Sequence, residues 1–129
     1  MSGSTALGRF AVVGTIAEAD AFCRATGVAP AATLPLTYPM RWLALPDIRA
    51  GLLDLASGAE AVLVHESQSF AYTHPLFVDQ LYTLTVFARR EAAPDRVILD
   101  GVVTDAAGVE QLRIETILRL IAAPTELAA

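Results

Sequence analysis

The hydrophobic pattern changes character near residue 60: before it, apolar residues recur at helical spacing, and after it they alternate with polar ones. Thr15-Ile16-Ala17-Glu18 fits a capping box, with Thr15 at the N-cap and Glu18 at the third helical position. Ile16, Ala19, Phe22 and Cys23 then share one face, and Gly27 supplies a C-terminal stop. Residues 9–13 ahead of this helix predict a short strand. Residues 28–39 contain Pro30, Pro35 and Pro39 and predict an irregular stretch. From 40 to 56 the spacing is helical again, with Trp42, Leu43, Leu45, Ile48, Leu52, Leu53 and Leu55 as apolar positions. So broad an apolar surface predicts a helix buried on most sides. Pro46 either kinks this helix or starts a second segment, because it lacks the donor an interior turn requires. Ser57-Gly58 ends it.

The rest reads as strands over 62–73, 81–89 and 96–104, then a turn at Asp105-Ala106-Ala107-Gly108 and a last strand through 111–120. In the first of these, Val62, Val64, Glu66, Gln68, Phe70 and Tyr72 share one parity, and His65 shares the other with Leu63, Ser67 and Ser69. In the last, Leu112, Ile114, Leu118 and Leu120 point one way and Gln111, Arg113, Glu115 and Arg119 the other. Helices followed by long antiparallel strands make an α+β domain. A single domain over 1–129 is expected, with its core at about 9–121 and frayed ends at 1–8 and 124–129.

Composition narrows the function classes. The apolar fraction is 54%, but 24 of those residues are alanine, so large side chains are fewer than a mean hydropathy of +0.50 suggests. All nine basic residues are arginine and stand against fourteen acidic ones, a net charge of −5. Only Arg89 and Arg90 are adjacent, so no basic stripe exists to neutralise phosphates, and nucleic acid is not an expected partner. The lone Cys23 excludes an intrachain disulfide and a cysteine-based metal knuckle, and two histidines nine residues apart do not make a metal site. The longest charge-free run, 25–40, is broken by three prolines and cannot span a bilayer. No charged region followed by an apolar stretch opens the chain. A soluble, cytoplasmic protein without metal or cofactor is expected.

Three stretches carry a family resemblance. Leu34-Pro35-Leu36-Thr37-Tyr38-Pro39, the run from Val64-His65-Glu66 through Tyr72-Thr73-His74-Pro75-Leu76, and the closing Glu115-Thr116-Ile117-Leu118 resemble the MaoC-like hydratases and dehydratases in order and spacing. The match is closest in kind to the non-catalytic half or subunit of that family. It implies a hotdog fold, an antiparallel sheet wrapped around a central helix. It also implies an acyl-CoA or acyl-carrier-protein thioester as ligand, held between two such units in a homodimer or in a heterodimer with a catalytic hotdog subunit.

The departures from the family pattern bear on chemistry. R-specific hydratases of the family place an Asp and a His after a lead-in that Phe22-Cys23-Arg24-Ala25-Thr26-Gly27 resembles. Here Val28 stands at the Asp position, and Ala32 or Thr33 at the His position. Neither Val nor Ala transfers a proton, and a Thr hydroxyl is a poor base near neutral pH. The family's Gly-Asp turn after Pro-Leu is replaced by Asp79-Gln80. No catalytic residue is therefore expected, and the substrate-contacting candidates are Tyr38, Trp42, His65, Gln68, Tyr72 and His74. His65 also reads as a half-buried, hydrogen-bonded histidine, Trp42 as core, and His74 as an exposed residue near a carrier phosphate. Glu66 and Gln68 face a helix, a second subunit or solvent. The competing expectation is a homodimeric hotdog thioesterase or lyase using His65 or Glu66, since thioesterases of this fold activate water with a carboxylate.

Overall fold

The computed structural model describes residues 3–56 and 61–122. In chain order the elements are β1 (Thr5–Val13), α1 (Ile16–Thr26), a 3-10 helix (Tyr38–Ala44), α2 (Pro46–Ala56), β2 (Ala61–Tyr72), β3 (Leu81–Glu91), β4 (Arg96–Thr104) and β5 (Glu110–Ala122). The five strands form one antiparallel sheet in the order β1-β3-β4-β5-β2, leaving β1 and β2 as its edges. The stretch expected to fray at 1–8 is strand from Thr5 onward, because residues 5–13 dock along β3. The predicted stop at Ser57-Gly58 and the tail at 124–129 lie outside the described residues.

Local chemistry accounts for the helix boundaries. Thr15 caps the helix by accepting the Glu18 N–H at 3.2 Å, and its hydroxyl donates to Glu18 Oε1 at 3.0 Å, a side-chain contact in place of the backbone bond that the predicted capping box would make. Gly27 closes α1 in the left-handed conformation, φ 75°, with its N–H on the Cys23 carbonyl. Of the predicted α1 face, Ala19 and Cys23 are buried and Ile16 stays exposed. Pro46 starts a new helix and does not kink an old one. The residue before a proline is pushed out of the helical region, and Leu45 sits at ψ 141°, so the 3-10 turn stops and α2 begins with proline in its first turn.

The sheet closes on α2 from one side. Ile48 and Leu52 are buried against β1, β3 and β4, and Arg90 of β3 donates to the Leu55 carbonyl at 3.1 Å, capping the helix end. Arg90 is itself fixed by a two-point contact with Asp95 (3.0 and 2.8 Å), and that hydrogen bonding holds the Asp95 carboxyl below the usual carboxylate range. The opposite flank of α2 is open, with Leu53 64% exposed. The expectation of a helix buried on most sides is therefore corrected: one sheet covers one face only.

Gly14 sets how closely the loop after α1 approaches β1. A Cβ there would lie 2.5 Å from Leu34 Cδ2 and 3.1 Å from Tyr38 Cε1, so only glycine lets the buried Leu34 and Tyr38 seat. Asp79 occupies the turn where the resembled family has glycine, at φ 58°. Aspartate tolerates this region, and here its Oδ1 accepts the Ile16 N–H at 2.9 Å, satisfying a donor of the first turn of α1.

Candidate functional site

Edge strand β2 carries most of the candidate residues, and a bulge divides it. Its pairing with β5 runs His65 to Leu118 and then Ser67 to Ile117, so Glu66 is the extra residue. Cross-strand partners share a face. Leu63 and His65 therefore share the face of Leu120 and Leu118, where His65 is exposed and makes no hydrogen bond among the described residues, correcting its expected half-buried, hydrogen-bonded place, while beyond the bulge Gln68, Phe70 and Tyr72 point inward with Thr116, Ile114 and Leu112. The single parity expected for Val62, Val64, Glu66, Gln68, Phe70 and Tyr72 is thus corrected: Val62 and Val64 face out, and the bulge brings the later residues in. Gln111 is likewise corrected from an outward position. It is buried at a second bulge, where Nε2 donates to Val109 O at 3.0 Å and to Asp105 Oδ2 at 3.3 Å.

His65 and Glu66 consequently lie on opposite sides of the sheet. Glu66 accepts from Arg119 of β5 and, at 3.4 Å, from Arg96 of β4, and Arg96 also reaches Glu91. Arg96 and Arg119 are directly opposite across the strands, so Glu66 neutralises two facing cations. The inward side is chemically different. Thr116, 4% exposed, donates its hydroxyl to Gln68 Oε1 at 2.6 Å, and Gln68 Nε2 is a buried donor with no partner among the described residues. Phe70 and Tyr72 stack with ring centroids 6.4 Å apart.

Tyr72 links this strand to the irregular segment after α1 by donating its hydroxyl to the Leu36 carbonyl at 2.7 Å. Leu34 N–H to Leu76 O and Val78 N–H to Ala32 O (2.8 and 3.0 Å) tie the same segment to the β2–β3 connection. Between residues 28 and 37 this segment lines an apolar cavity of about 420 Å³ whose side chains are Val28, Ala29, Ala31, Leu34 and their neighbours, with Val28 and Leu36 exposed at its rim. This cavity has no sequence signature beyond the apolar, proline-broken composition of its walls.

Burial pushes the Tyr72 hydroxyl up to about 12. Its folded value lies above the ordinary value of 10, so the neutral form is favoured by folding. That contribution is present in full below pH 10 and is lost as pH rises through 12. Tyr72→Phe should cost about 1 kcal/mol near neutral pH through the lost hydrogen bond to Leu36. The gap to wild type should narrow between pH 10 and 12, read from urea unfolding at pH 8, 11 and 12. Tyr38, also shifted upward by burial, is common to both proteins and cancels in the difference.

The remaining candidates stand apart from β2. Tyr38 and Trp42 are 1% and 6% exposed and pack edge to face in a series with Phe22, at 5.4 and 6.0 Å. They line a cavity of about 360 Å³ with Val12, Glu18, Arg41 and Leu45, beside the opposite edge strand β1, and the Arg41 guanidinium sits 5.5 Å from the Tyr38 ring centroid. His74 is exposed just past β2 and lines an open cup with Phe77, Tyr82, Asp105 and Gln111. The charged neighbour in that cup is the acidic Asp105, not a basic residue. The geometry brings His65, Gln68, Phe70 and Tyr72 together on one inner strip and leaves Tyr38, Trp42 and His74 elsewhere. Among the described residues no group of three or more His, Cys, Asp or Glu side chains could hold a metal ion, and no helix is long and apolar enough to cross a membrane.

This order of elements, with a helix lying on a five-stranded antiparallel sheet of order β1-β3-β4-β5-β2, is a hotdog fold. Three solved structures show the likeness. A hot-dog-like protein from Thermanaerovibrio acidaminovorans matches with a TM-score of 0.66 and 14% identity, covering 98% of this chain and 85% of the other. A 1,4-dihydroxy-2-naphthoyl-CoA thioesterase from Synechocystis gives 0.65 and 13%, over 95% and 85%. The HadBC 3R-hydroxyacyl-ACP dehydratase complex from Mycobacterium tuberculosis gives 0.64 and 15%, over 91% and 95%. No protein-family model and no curated protein matches the chain.

Proposed function

We propose that this chain is a non-catalytic, acyl-thioester-binding hotdog subunit that works beside a second hotdog unit carrying the proton-transfer groups. The observation that carries the reading is the segment over 28–37. It lies against β2 through Tyr72, as a catalytic loop would, yet its side chains are Val28, Ala29, Ala31, Ala32, Thr33 and apolar neighbours. The inner strip of β2 offers binding chemistry in its place: apolar Leu63 and Phe70, the His65 imidazole, and the unpartnered Nε2 of Gln68 as a donor for a thioester carbonyl. The free edge of β2 and the open flank of α2 at Leu53 are the surfaces a second hotdog unit would cover. The dehydratase among the similar structures is by name a complex, which agrees with a reading that needs a second unit.

A thioesterase is the competing reading, and the engagement of Glu66 with two arginines on the outer face speaks against a Glu66–His65 pair. The test is to assay the purified chain against enoyl-CoA and acyl-CoA esters of short and medium length, and to titrate the same esters by calorimetry. Binding that weakens at least several-fold in Gln68→Ala, with no hydration or hydrolysis by the chain alone, is the expected result. Turnover that disappears in His65→Ala would overturn the proposal in favour of an enzyme.

A further inference from the structure

The side of the sheet turned away from α2 holds a shallow groove of about 660 Å³, lined in part by Ser69, Ala71, Phe87, Asp100, Arg113 and Glu115. Strand register orders this face into transverse rows. One row runs Ala6, Phe87, Asp100, Glu115, Ser69, and the next runs Arg9, Thr85, Val102, Arg113, Ala71. The first row is acidic and the second basic. Within the acidic row Asp100 and Glu115 are directly opposite, an arrangement that costs stability unless a cation intervenes. Arg89 neutralises Asp100 at 2.6 Å. Glu115 is exposed and makes no ion pair or hydrogen bond among the described residues. Arg113 grips Glu110 through Nε and Nη2, while its side chain remains 65% exposed and its Nη1 is outside that grip. Phe87, 38% exposed, adds an aromatic ring to a face that is otherwise small or charged at its centre.

We propose that this face binds a second copy of the chain, sheet against sheet, about a two-fold axis that runs across the strands between the two rows. Such an axis keeps each strand over its own counterpart and exchanges the rows. Glu115 then meets Arg113 of the second copy, and Arg113 meets its Glu115, so the contact is made twice. Phe87 comes to lie over Thr85 of the second copy. The perpendicular choice, an axis along the strands, would set the acidic row on itself and is excluded by charge. Stacked sheets sit about 10 Å apart, and five strands about 30 Å long present on the order of 700 Å² per copy, close to the roughly 800 Å² of a standard interface. This contact is separate from the free edge of β2 and does not depend on the acyl-thioester reading.

Charge exchange tests it. Glu115→Arg and Arg113→Glu each place like charges across the proposed axis, whereas the double variant restores opposite ones. The two single variants are also complementary to each other. By light scattering at equal concentration, wild type should show twice the mass of either single variant. The double variant and a one-to-one mixture of the singles should both return to the wild-type mass. Ser69→Trp fills the groove without changing any charge, and should halve the mass as well. Equal masses for wild type, both singles and Ser69→Trp would overturn the proposal, as would a double variant that stays at the lower mass.

Discussion

Ile48→Ala is expected to lower the unfolding free energy by about 3 to 4 kcal/mol, because large-to-small changes at fully buried sites lose transfer energy and leave a cavity. Ile48 is 0% exposed and is one of only two buried residues by which α2 meets the sheet. Its backbone N–H closes the turn after Leu45 at 3.0 Å, so the side chain also sits where the proline-started helix is anchored. In a domain of this size the loss corresponds to a melting temperature lower by roughly 10 to 20 °C. Leu53→Ala on the same helix should change stability by less than about 0.5 kcal/mol in the isolated chain, since that side chain is in water. Urea unfolding of the two variants, side by side, checks both values. A large loss from Leu53→Ala would mean that this flank is already covered in solution.

The second large effect belongs to Glu66. Glu66→Ala removes the carboxylate between Arg96 and Arg119, which then face each other across adjacent strands. The three side chains are 28–42% exposed, so solvent screens part of the repulsion, and a loss of about 1 to 2 kcal/mol is expected. The loss should shrink in 1 M salt, where the Debye length falls to about 3 Å. Deleting Glu66 outright is a sharper comparison. Without the bulged residue, Leu63 and His65 and then Gln68, Phe70 and Tyr72 keep their inward positions in unbroken alternation. The deletion should therefore cost no more than the alanine substitution, whereas deleting Ser69 would turn one half of the strand inside out. Unfolding curves at low and high salt distinguish these cases.

What could be read from the sequence was what short-range chemistry determines. The helix cap at Thr15, the stop at Gly27 and the break at Pro46 depend on residues within a turn of one another, and each was visible. The strands of the second half were visible through alternation. Features that depend on distant partners were not. β1 extends back to Thr5 although Thr5-Ala6-Leu7-Gly8 shows no alternation, because β3 offers it a partner. The bulge at Glu66 was hidden since Val62, Val64, Phe70 and Tyr72 are apolar at the same parity on both sides of it. Only the positions of Arg96 and Arg119, on other strands, reveal which way Glu66 turns. The same reason separates the candidate residues. His65, Gln68 and Tyr72 share a strip because one strand carries them, while Trp42 joins the core as its apolar spacing predicts, and Tyr38 joins it beside β1.

The strand order also sets a sequence of events in time. β3, β4 and β5 are consecutive and joined by short turns, so their pairing closes small loops and can form early. β1 must find β3 with both helices intervening, and β2 must find β5 across the whole meander. The two edges therefore dock last. Backbone amides of the meander should exchange hydrogen most slowly, and those of β2 among the fastest of the strands. A strip of side chains carried by the last strand to arrive can loosen and reseat without unfolding the sheet that supports it.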